Sequence, residues 1–356
     1  MGSLVTADRA FYRSLPKVDL HRHLEGSLRL STLLEIGRAY GLTTPRSPRQ
    51  LRSLVQVQKK DPLNYQNFLA KFATLRLFYR SPEILQRITR EAIEDAARDN
   101  VRHLELRFTP VALGRAEGFP LGEVMDWVCA SARQAAADCG ISVSLLASVN
   151  RHEPPQLAEE VVTLAIERRA QGLAGVDLAG NEADFPAEPF IAILHAARQA
   201  GLRLTVHAGE WGGAANVRQA IELFAADRIG HGVRVLEDPN VVALARERQT
   251  VFEVCLTSNY QSGVIAPGRV HPIVAMLEAG LNVTLASDDP AISQITLSDE
   301  YRLACDTLRL PLVTLYERIL AAVRASFLPP TAQEHLYRCV KTELEQIIES
   351  RKNRYN

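Results

Sequence analysis

Short apolar runs alternate with amphipathic segments along most of the chain. Eight of these runs end in polar or glycine residues and predict buried β-strands. They lie near 17–23, 101–108, 142–149, 175–180, 202–209, 228–231, 250–256 and 282–288. Helical patterns separate them, as at 84–98, 121–138 and 155–171. Because strand and helix alternate about eight times, we expect an α/β fold, a (β/α)8 TIM barrel.

One segment departs from this alternation. Residues from about 28 to 79 separate the first strand from the next helix–strand unit, and they are too many and too apolar for a simple loop. Helical patterns at 31–40 and 65–78 are joined there by a loop that contains Pro and Arg. Because the segment follows the first strand, we predict a helical lid over the mouth of the barrel, within a single domain of residues 1–356.

Composition indicates which class of ligand the protein binds and in which cellular compartment it lies. The 356 residues include 41 basic and 41 acidic ones, so a small, roughly neutral ligand is favoured over nucleic acid or a membrane surface. Five cysteines without a CxxC pair are typical of a reducing compartment. The sequence shows no signal-peptide pattern and no membrane-spanning run, so we expect a cytoplasmic protein. We also expect a monomer or a homodimer.

Three imidazoles and a carboxylate lie at predicted strand ends. His21 and His23 share one face of strand 1, His207 ends strand 5, and Asp288 ends strand 8. Taken singly, such residues are more often hydrogen-bonded polar groups or helix caps. Together they predict a Zn²⁺ site with a position left for water. Strand 4 has no lysine to bridge a second ion, so we predict one zinc per subunit.

Three further polar residues are candidates for the chemistry. Glu210 follows His207 by three positions and reaches the site only if the strand ends near Gly209 and the chain turns there, as glycine permits. It would then protonate a ring nitrogen if burial raised its pKa. His231, between two glycines, is suited to stabilise developing charge or to act as a base. Asp289 is placed to accept a hydrogen bond from the attacking water.

Six short motifs follow one another along the chain: LPKVDLHRHLEG at 15–26, DLAGNE at 177–182, TVHAGE at 205–210, RIGHG at 228–232, CLTSN at 255–259 and SDDP at 287–290. In these motifs, and over nearly its whole length, the chain resembles the adenosine deaminases of the amidohydrolase superfamily, most closely those of bacteria. The resemblance implies hydrolytic deamination of adenosine and 2′-deoxyadenosine to inosine-type products and ammonia in purine salvage.

The resemblance also implies residue roles. His21, His23, His207 and Asp288 would bind zinc, Glu210 would protonate purine N1, and His231 and Asp289 would position and deprotonate the attacking water. The implied nucleoside contacts come from His23, Glu25, Phe68, Leu69, Phe72, Gly180 and Asp289, with the Gly180 backbone hydrogen-bonded to the purine ring.

Glu25 departs from the family pattern, in which adenosine-specific members usually carry Asp to meet the ribose 5′-hydroxyl. Glutamate there occurs in relatives acting on adenine or aminodeoxyfutalosine. The same chemistry on aminodeoxyfutalosine, adenine or an N6-modified adenine nucleoside is therefore an alternative. A deaminase-like binding protein is disfavoured, because it should have lost one of Glu210, His231 and Asp289, which are all present.

Overall fold

The computed structural model describes residues 8–45 and 47–355 and contains an eight-stranded parallel sheet whose strands follow chain order. The strands are β1 (Lys17–His23), β2 (Val101–Phe108), β3 (Ser142–Asn150), β4 (Leu173–Ala179), β5 (Arg203–Ala208), β6 (Arg228–His231), β7 (Val251–Val254) and β8 (Asn282–Leu285). A parallel bridge between Arg22 and Asp288 joins β1 to the chain just after β8. The predicted (β/α)8 architecture is confirmed.

Helices surround this sheet and connect its strands. Those up to β4 are Arg9–Ser14, Leu30–Ala39, Pro48–Val55, Tyr65–Leu75, Pro82–Arg98, Pro110–Gly114, Leu121–Cys139 and Pro155–Glu167, with 3-10 turns at Arg76–Phe78 and Arg169–Gln171. Those after β4 are Ile191–Gln199, Ala214–Glu222, Pro239–Glu247, Leu256–Gln261, Ile273–Glu278, Pro290–Ser293, Leu297–Arg302, Leu312–Ala325 and Pro330–Tyr355, with 3-10 turns at Glu188–Phe190 and Val233–Glu237 and a π turn at Leu303–Thr307.

The helix Pro82–Arg98 illustrates why these segments form where they do. The Ser81 side chain accepts a hydrogen bond from the Ile84 backbone N–H, and Pro82 occupies the first turn, where no hydrogen-bonding N–H is needed. Glu83 and Arg98 complement the helix dipole at its two ends. Apolar side chains on one face are buried, so packing against the sheet stabilises the helix.

Charged side chains lie inside the barrel beneath the carboxyl ends of the strands. Arg107 Nη2 is 2.9 Å from Glu253 Oε2, and Arg107 Nη1 is 3.3 Å from Asp177 Oδ2. Arg228 pairs with both Glu105 and Glu253. All five side chains are buried, and each charge has an opposite partner, which such burial requires.

The segment between β1 and the helix Pro82–Arg98 contains one helix more than predicted. Pro48–Val55, which we expected to be a loop, is helical because Pro48 starts it and Leu51 and Val55 bury its inner face. The Val57 backbone N–H donates to Ile292 O at 2.9 Å, which ties the segment to the loop after β8. That this segment acts as a lid, and that residues 1–356 form one domain, stay predictions.

The structure bears on the prediction of no membrane-spanning segment, but not fully on the prediction of no signal peptide. Within residues 8–45 and 47–355, no helix is both long enough and apolar enough to cross a bilayer. The first seven residues, on which the expected lack of a signal peptide partly depends, lie outside the described part of the chain.

Candidate active site

The four predicted metal ligands converge at the carboxyl end of the barrel. The ring centroids of His21, His23 and His207 are 4.7–5.4 Å apart in pairs, and the three rings each place a nitrogen within 4.8 Å of the others. Asp288 Oδ1 lies 3.2 Å from His21 Nε2 and 3.4 Å from His23 Nε2. The alternation of side chains along β1 brings its two histidines to this one point.

Two buried carboxylates orient the imidazoles. His21 Nδ1 is 2.7 Å from Glu253 Oε2, and His207 Nδ1 is 3.0 Å from Asp177 Oδ1. An ionised carboxylate only accepts hydrogen bonds, so each Nδ1 carries the hydrogen and each Nε2 presents a lone pair to the cluster. His21 Nε2 is buried 3.2 Å from Asp288 Oδ1, and with the ring hydrogen on Nδ1 it has no hydrogen to donate to that oxygen. Burial lowers the pKa of His23 well below its usual value, so this ring is also available as a neutral ligand.

A sharp turn after β5 brings Glu210 to the cluster. The strand ends at Ala208, and Gly209 has a φ of +70°, as the predicted turn requires. Glu182 holds the turn by accepting hydrogen bonds from the backbone N–H groups of Gly209 at 3.0 Å and Trp211 at 2.7 Å, and from that of Glu210 itself. Burial, reinforced by neighbouring carboxylates, raises the pKa of Glu210 well above its usual value.

His231 ends β6 beside the same cluster. Its φ of +60° is rare for a residue with a side chain, and the next residue, Gly232, has a φ of +65°. Nε2 of the ring lies 3.7 Å from Glu210 Oε2 and 3.9 Å from Asp288 Oδ2. Burial and the neighbouring imidazoles lower the pKa of His231 well below its usual value, which favours the neutral ring.

Asp288 and Asp289 lie beyond the last strand rather than on it. β8 ends at Leu285, three residues earlier than predicted, because Asp288 adopts a φ of +60° and its backbone bonds to β1 instead. The His23 N–H donates to Asp288 O at 2.9 Å, and the Asp288 N–H donates to His21 O at 2.7 Å. This change of direction lets both carboxylates face the site. Asp289 Oδ1 is buried and has no hydrogen-bond partner among the described residues.

A cavity of about 260 Å³ opens above the cluster. Every predicted site residue except His21, which is fully buried, lines it: His23, Glu25, Phe68, Leu69, Phe72, Gly180, His207, Glu210, His231, Asp288 and Asp289. The helix Tyr65–Leu75 supplies the aromatic and leucine side chains of one wall. Tyr65 stacks on Trp211 with ring centroids 5.3 Å apart, joining this helix to the turn that carries Glu210.

The profile of the adenosine deaminase family matches residues 16–343. The chain belongs to the adenosine deaminase family. This deaminase is 36% identical over 292 residues to the adenosine deaminase of Klebsiella pneumoniae strain 342, covering 82% of this chain and 87% of that protein. It is 34% identical over 325 residues to that of Enterococcus faecalis, covering 91% and 95%. It is therefore a hydrolytic deaminase of the adenosine deaminase type.

Solved structures of other deaminases and amidohydrolases share the fold. A zinc-bound amidohydrolase from Burkholderia ambifaria aligns with a TM-score of 0.89 at 28% identity, over 98% of this deaminase and 96% of that chain. An adenine deaminase from Arthrobacter aurescens gives 0.85 at 27%, over 93% and 99%. The N6-methyl-AMP deaminase of Arabidopsis thaliana gives 0.83 at 29%, over 94% and 98%.

The chemistry of the donor set fits a metal cofactor in this deaminase. Three imidazoles and one carboxylate, two of the rings fixed by carboxylates behind them, form the kind of set that binds divalent transition metals. Cys255 also lies beside His21, His231 and Asp288. Burial raises the pKa of its thiol well above the usual value, and Sγ faces Glu253 O at 3.6 Å, so Cys255 is a poor thiolate ligand.

Sequence reasoning missed the residues that support the deaminase site from behind. Glu253, Glu182, Asp177 and Asn259 were not assigned roles, although the last three fall within the recognised motifs. A charged residue in the middle of the apolar run Val251–Val254 was the available signal for Glu253. Arg76, His152 and Trp211 also line the cavity and were not predicted.

Proposed function

We propose that this deaminase converts adenosine and 2′-deoxyadenosine to inosine and 2′-deoxyinosine, with release of ammonia, in purine salvage. The observation that carries this proposal is the position of Glu210 and His231 beside the histidine–aspartate cluster, at the inner end of a cavity with apolar walls. The bacterial relatives bear the name adenosine deaminase, which supports the same substrate here.

The proposed metal is one Zn²⁺ per chain, held by His21, His23, His207 and Asp288. The neutral nitrogen and carboxylate donors suit zinc, and the amidohydrolase neighbour contains it. A zinc ion at this position would supply Lewis-acid chemistry that makes water nucleophilic near neutral pH.

The chain's own residues then move the protons. Glu210, kept protonated by burial, donates to purine N1 while the oxygen of water adds to C6. Burial and the neighbouring carboxylates Asp288 and Glu25 raise the pKa of Asp289, which makes its ionised form a stronger base. Its unpaired Oδ1 then accepts the proton that this water loses, with His231 beside it as an orienting group. Asp289 then returns its proton to the leaving nitrogen, the C6–N bond breaks to release ammonia, and the C6 hydroxyl gives its proton to Glu210. This yields the 6-oxo product and restores both carboxyl groups, so the net reaction consumes one water.

The proposed sugar contacts begin at Glu25. Its Oε1 accepts a hydrogen bond from the Thr109 backbone N–H at 2.6 Å, whereas Oε2 is buried and unpaired within the described structure. A ribose hydroxyl would satisfy this oxygen, so Glu25 can take the role of the usual aspartate. Phe68, Leu69 and Phe72 would cover the purine, and the Gly180 backbone would hydrogen-bond its ring.

A second candidate substrate is a purine nucleoside that carries an anionic group on its sugar. Arg76 lines the cavity and brings a positive charge to it. Crystal structures of the similar Arabidopsis protein ADAL contain IMP or GMP, and both of these nucleotides carry a 5′-phosphate. Aminodeoxyfutalosine, which carries a carboxylate, belongs to the same chemical class.

A direct comparison of substrates separates the candidates. The loss of purine absorbance would be followed with adenosine, AMP, aminodeoxyfutalosine, N6-methyladenosine and adenine at equal concentrations of zinc-loaded enzyme. We expect the highest kcat/KM with adenosine. A preference for AMP or aminodeoxyfutalosine that Arg76→Gln abolishes would establish the anionic substrate instead, and preference for adenine would exclude both.

We also propose a cytoplasmic enzyme, since all five cysteines are free, as is usual in a reducing compartment. Its expected state is a monomer or homodimer. Fractionation of the source cells and light scattering of the purified protein test these two proposals.

A further inference from the structure

A line of hydrogen bonds runs behind His231, away from the cavity. The Ile273 backbone N–H donates to His271 Nδ1 at 3.1 Å. His271 Nε2 lies 3.1 Å from Asn259 Oδ1, and Asn259 Nδ2 lies 3.1 Å from His231 Nδ1. The His231, Asn259 and His271 side chains are all buried, so these bonds are shielded from competing water.

The backbone group at the far end fixes the direction of every bond in this line. A backbone N–H can only donate, so His271 Nδ1 must accept and its Nε2 must carry the ring hydrogen. Asn259 Oδ1 then accepts from His271, which leaves the amide nitrogen of Asn259 to donate to His231 Nδ1. A neutral imidazole that accepts at Nδ1 carries its hydrogen on Nε2.

The surrounding structure holds the line in place. Asn259 lies on the short helix after β7, where its backbone N–H donates to Cys255 O at 3.0 Å and its carbonyl accepts from the Ile265 N–H at 3.0 Å. The His271 backbone N–H donates to the Tyr260 hydroxyl at 3.0 Å. Burial lowers the pKa of His271 to about 3, so its ring stays neutral and keeps accepting from Ile273 over the working pH range.

The consequence appears on the cavity side of the ring. His231 Nε2 faces the space between Glu210 Oε2 and Asp288 Oδ2, at 3.7 and 3.9 Å. A hydrogen on this nitrogen points into that space, where the reaction proposed above requires the attacking water. With Nδ1 engaged as an acceptor and Nε2 already protonated, the ring has no lone pair left to take a proton from that water.

We propose that Asn259 and His271 are positioning residues that fix His231 as the Nε2–H tautomer, so that His231 donates a hydrogen bond to the attacking water and Asp289 alone receives its proton. The proposal concerns His231 in the reaction given above and rests on that function for its catalytic meaning. The tautomer itself is measurable without any substrate, so its failure is distinguishable from failure of the proposed reaction.

The first test reads the tautomer by NMR. Zinc-loaded enzyme labelled with ¹⁵N-histidine would give long-range proton–nitrogen correlations, with the His231 signals assigned by their loss in His231→Gln. We expect a protonated Nε2 and an unprotonated Nδ1. In Asn259→Asp, the carboxylate only accepts, so His231 should instead protonate Nδ1. Asn282→Asp at the start of β8 is the matched control and should leave the His231 signals unchanged.

A wild-type ring protonated at Nδ1, or an Asn259→Asp spectrum identical to that of wild type, would overturn the proposal. The kinetic counterpart is a kcat loss of at least about tenfold in Asn259→Asp with unchanged zinc content, since a wrong histidine tautomer costs up to about 10⁴-fold in a hydrolase triad.

A second pair of variants covers the case in which Asn259→Asp does not fold. His271→Gln keeps an acceptor for the Ile273 N–H and a donor for Asn259, whereas His271→Leu keeps neither. We expect His271→Gln to retain the wild-type His231 tautomer and most of kcat, and His271→Leu to lose both. Equal tautomers and equal rates in the two variants would mean that the line of hydrogen bonds does not control His231.

Discussion

Glu253 Oε2 lies 2.7 Å from His21 Nδ1, and both side chains are fully buried. Burial alone would raise the pKa of Glu253, but the charges of Arg107 and Arg228 hold it well below the usual value. The carboxylate therefore stays ionised, accepts the Nδ1 hydrogen of His21, and directs Nε2 towards His23, His207 and Asp288. One residue on β7 thus joins the charged interior of the barrel to the proposed metal site.

Glu253→Gln should weaken metal binding and destabilise the protein. The change leaves two buried arginines short of a counter-charge, a defect that typically costs about 3–5 kcal/mol. Loss of a carboxylate behind a ligating histidine typically lowers metal affinity by about 10–100-fold. Chelator competition and urea unfolding measure the two effects. Glu343→Gln, which breaks a partly exposed pair with Arg102, is the control, and wild-type metal affinity in Glu253→Gln would contradict the role given to Glu253.

Glu210→Gln should keep the metal and lose turnover. The amide fills the same space but cannot supply the proton that purine N1 needs, and such proton transfers contribute about 10²–10⁴-fold to rates. Metal analysis beside steady-state kinetics on adenosine makes the measurement. Near-normal kcat in a metal-loaded Glu210→Gln variant would exclude Glu210 as the proton donor.

Glu182→Gln should lower kcat while sparing metal content. The new amide group would point hydrogens at backbone N–H groups that now donate to the carboxylate, so the turn at Gly209 and Glu210 must shift. A displacement of about 1 Å at a catalytic group costs about 10²-fold. Glu188→Gln, which changes an exposed carboxylate bonded to Gln219, should behave like wild type. Loss of metal in step with loss of rate would point to unfolding of the site instead.

Gly26→Ala should displace Asp289. A Cβ at position 26 would lie 1.8 Å from Asp289 Oδ1, and the Gly26 carbonyl is fixed by the Ala291 N–H at 2.8 Å, so the aspartate has to move. We expect a kcat loss of about 10²-fold or more with little change in metal affinity. At Gly213, a Cβ would come no closer than 3.4 Å to its nearest neighbour, so Gly213→Ala is the control. Wild-type turnover in Gly26→Ala would show that Asp289 is not needed where it lies.

His271 should make the protein less stable in acid. Its pKa is lowered from 6.5 to about 3 by burial, so between these values the unfolded chain binds a proton that the folded chain does not. The free energy of unfolding should therefore fall as pH drops from about 6.5 towards 3, by about 1.4 kcal/mol per unit for this one group.

Urea unfolding at several pH values checks this, and His271→Gln should reduce the slope by about one proton. The exposed His335 offers a control, because His335→Gln should leave the slope as it is. An unchanged slope in His271→Gln would mean that other groups cause the acid sensitivity.

The sequence by itself determined the barrel and the convergence of the four candidate metal ligands. Buried parallel strands have nearly continuous apolar sequences, which makes them recognisable. Side chains alternate along a strand, so His21 and His23 share one face of β1 wherever that strand lies in the fold. The carboxyl ends of the parallel strands meet at one face of the barrel, so the sequence alone assigns His207 and Asp288 to the same site. The motifs then pointed to the family that the comparisons establish.

Only the tertiary structure decided what supports those ligands. The hydrogen-bond partners of His21, Glu210 and His231 come from other strands and loops. Such bonds join residues far apart in sequence, so they produce no periodic pattern from which they could be predicted. The reversals at Gly209 and Asp288 depend on left-handed backbone conformations that packing must hold in place, which is why β8 is shorter than its apolar pattern predicted. The helix Pro48–Val55 was not predicted for a related reason. Its two buried side chains give only a weak helical pattern, and so short a helix needs packing against the rest of the protein to be stable.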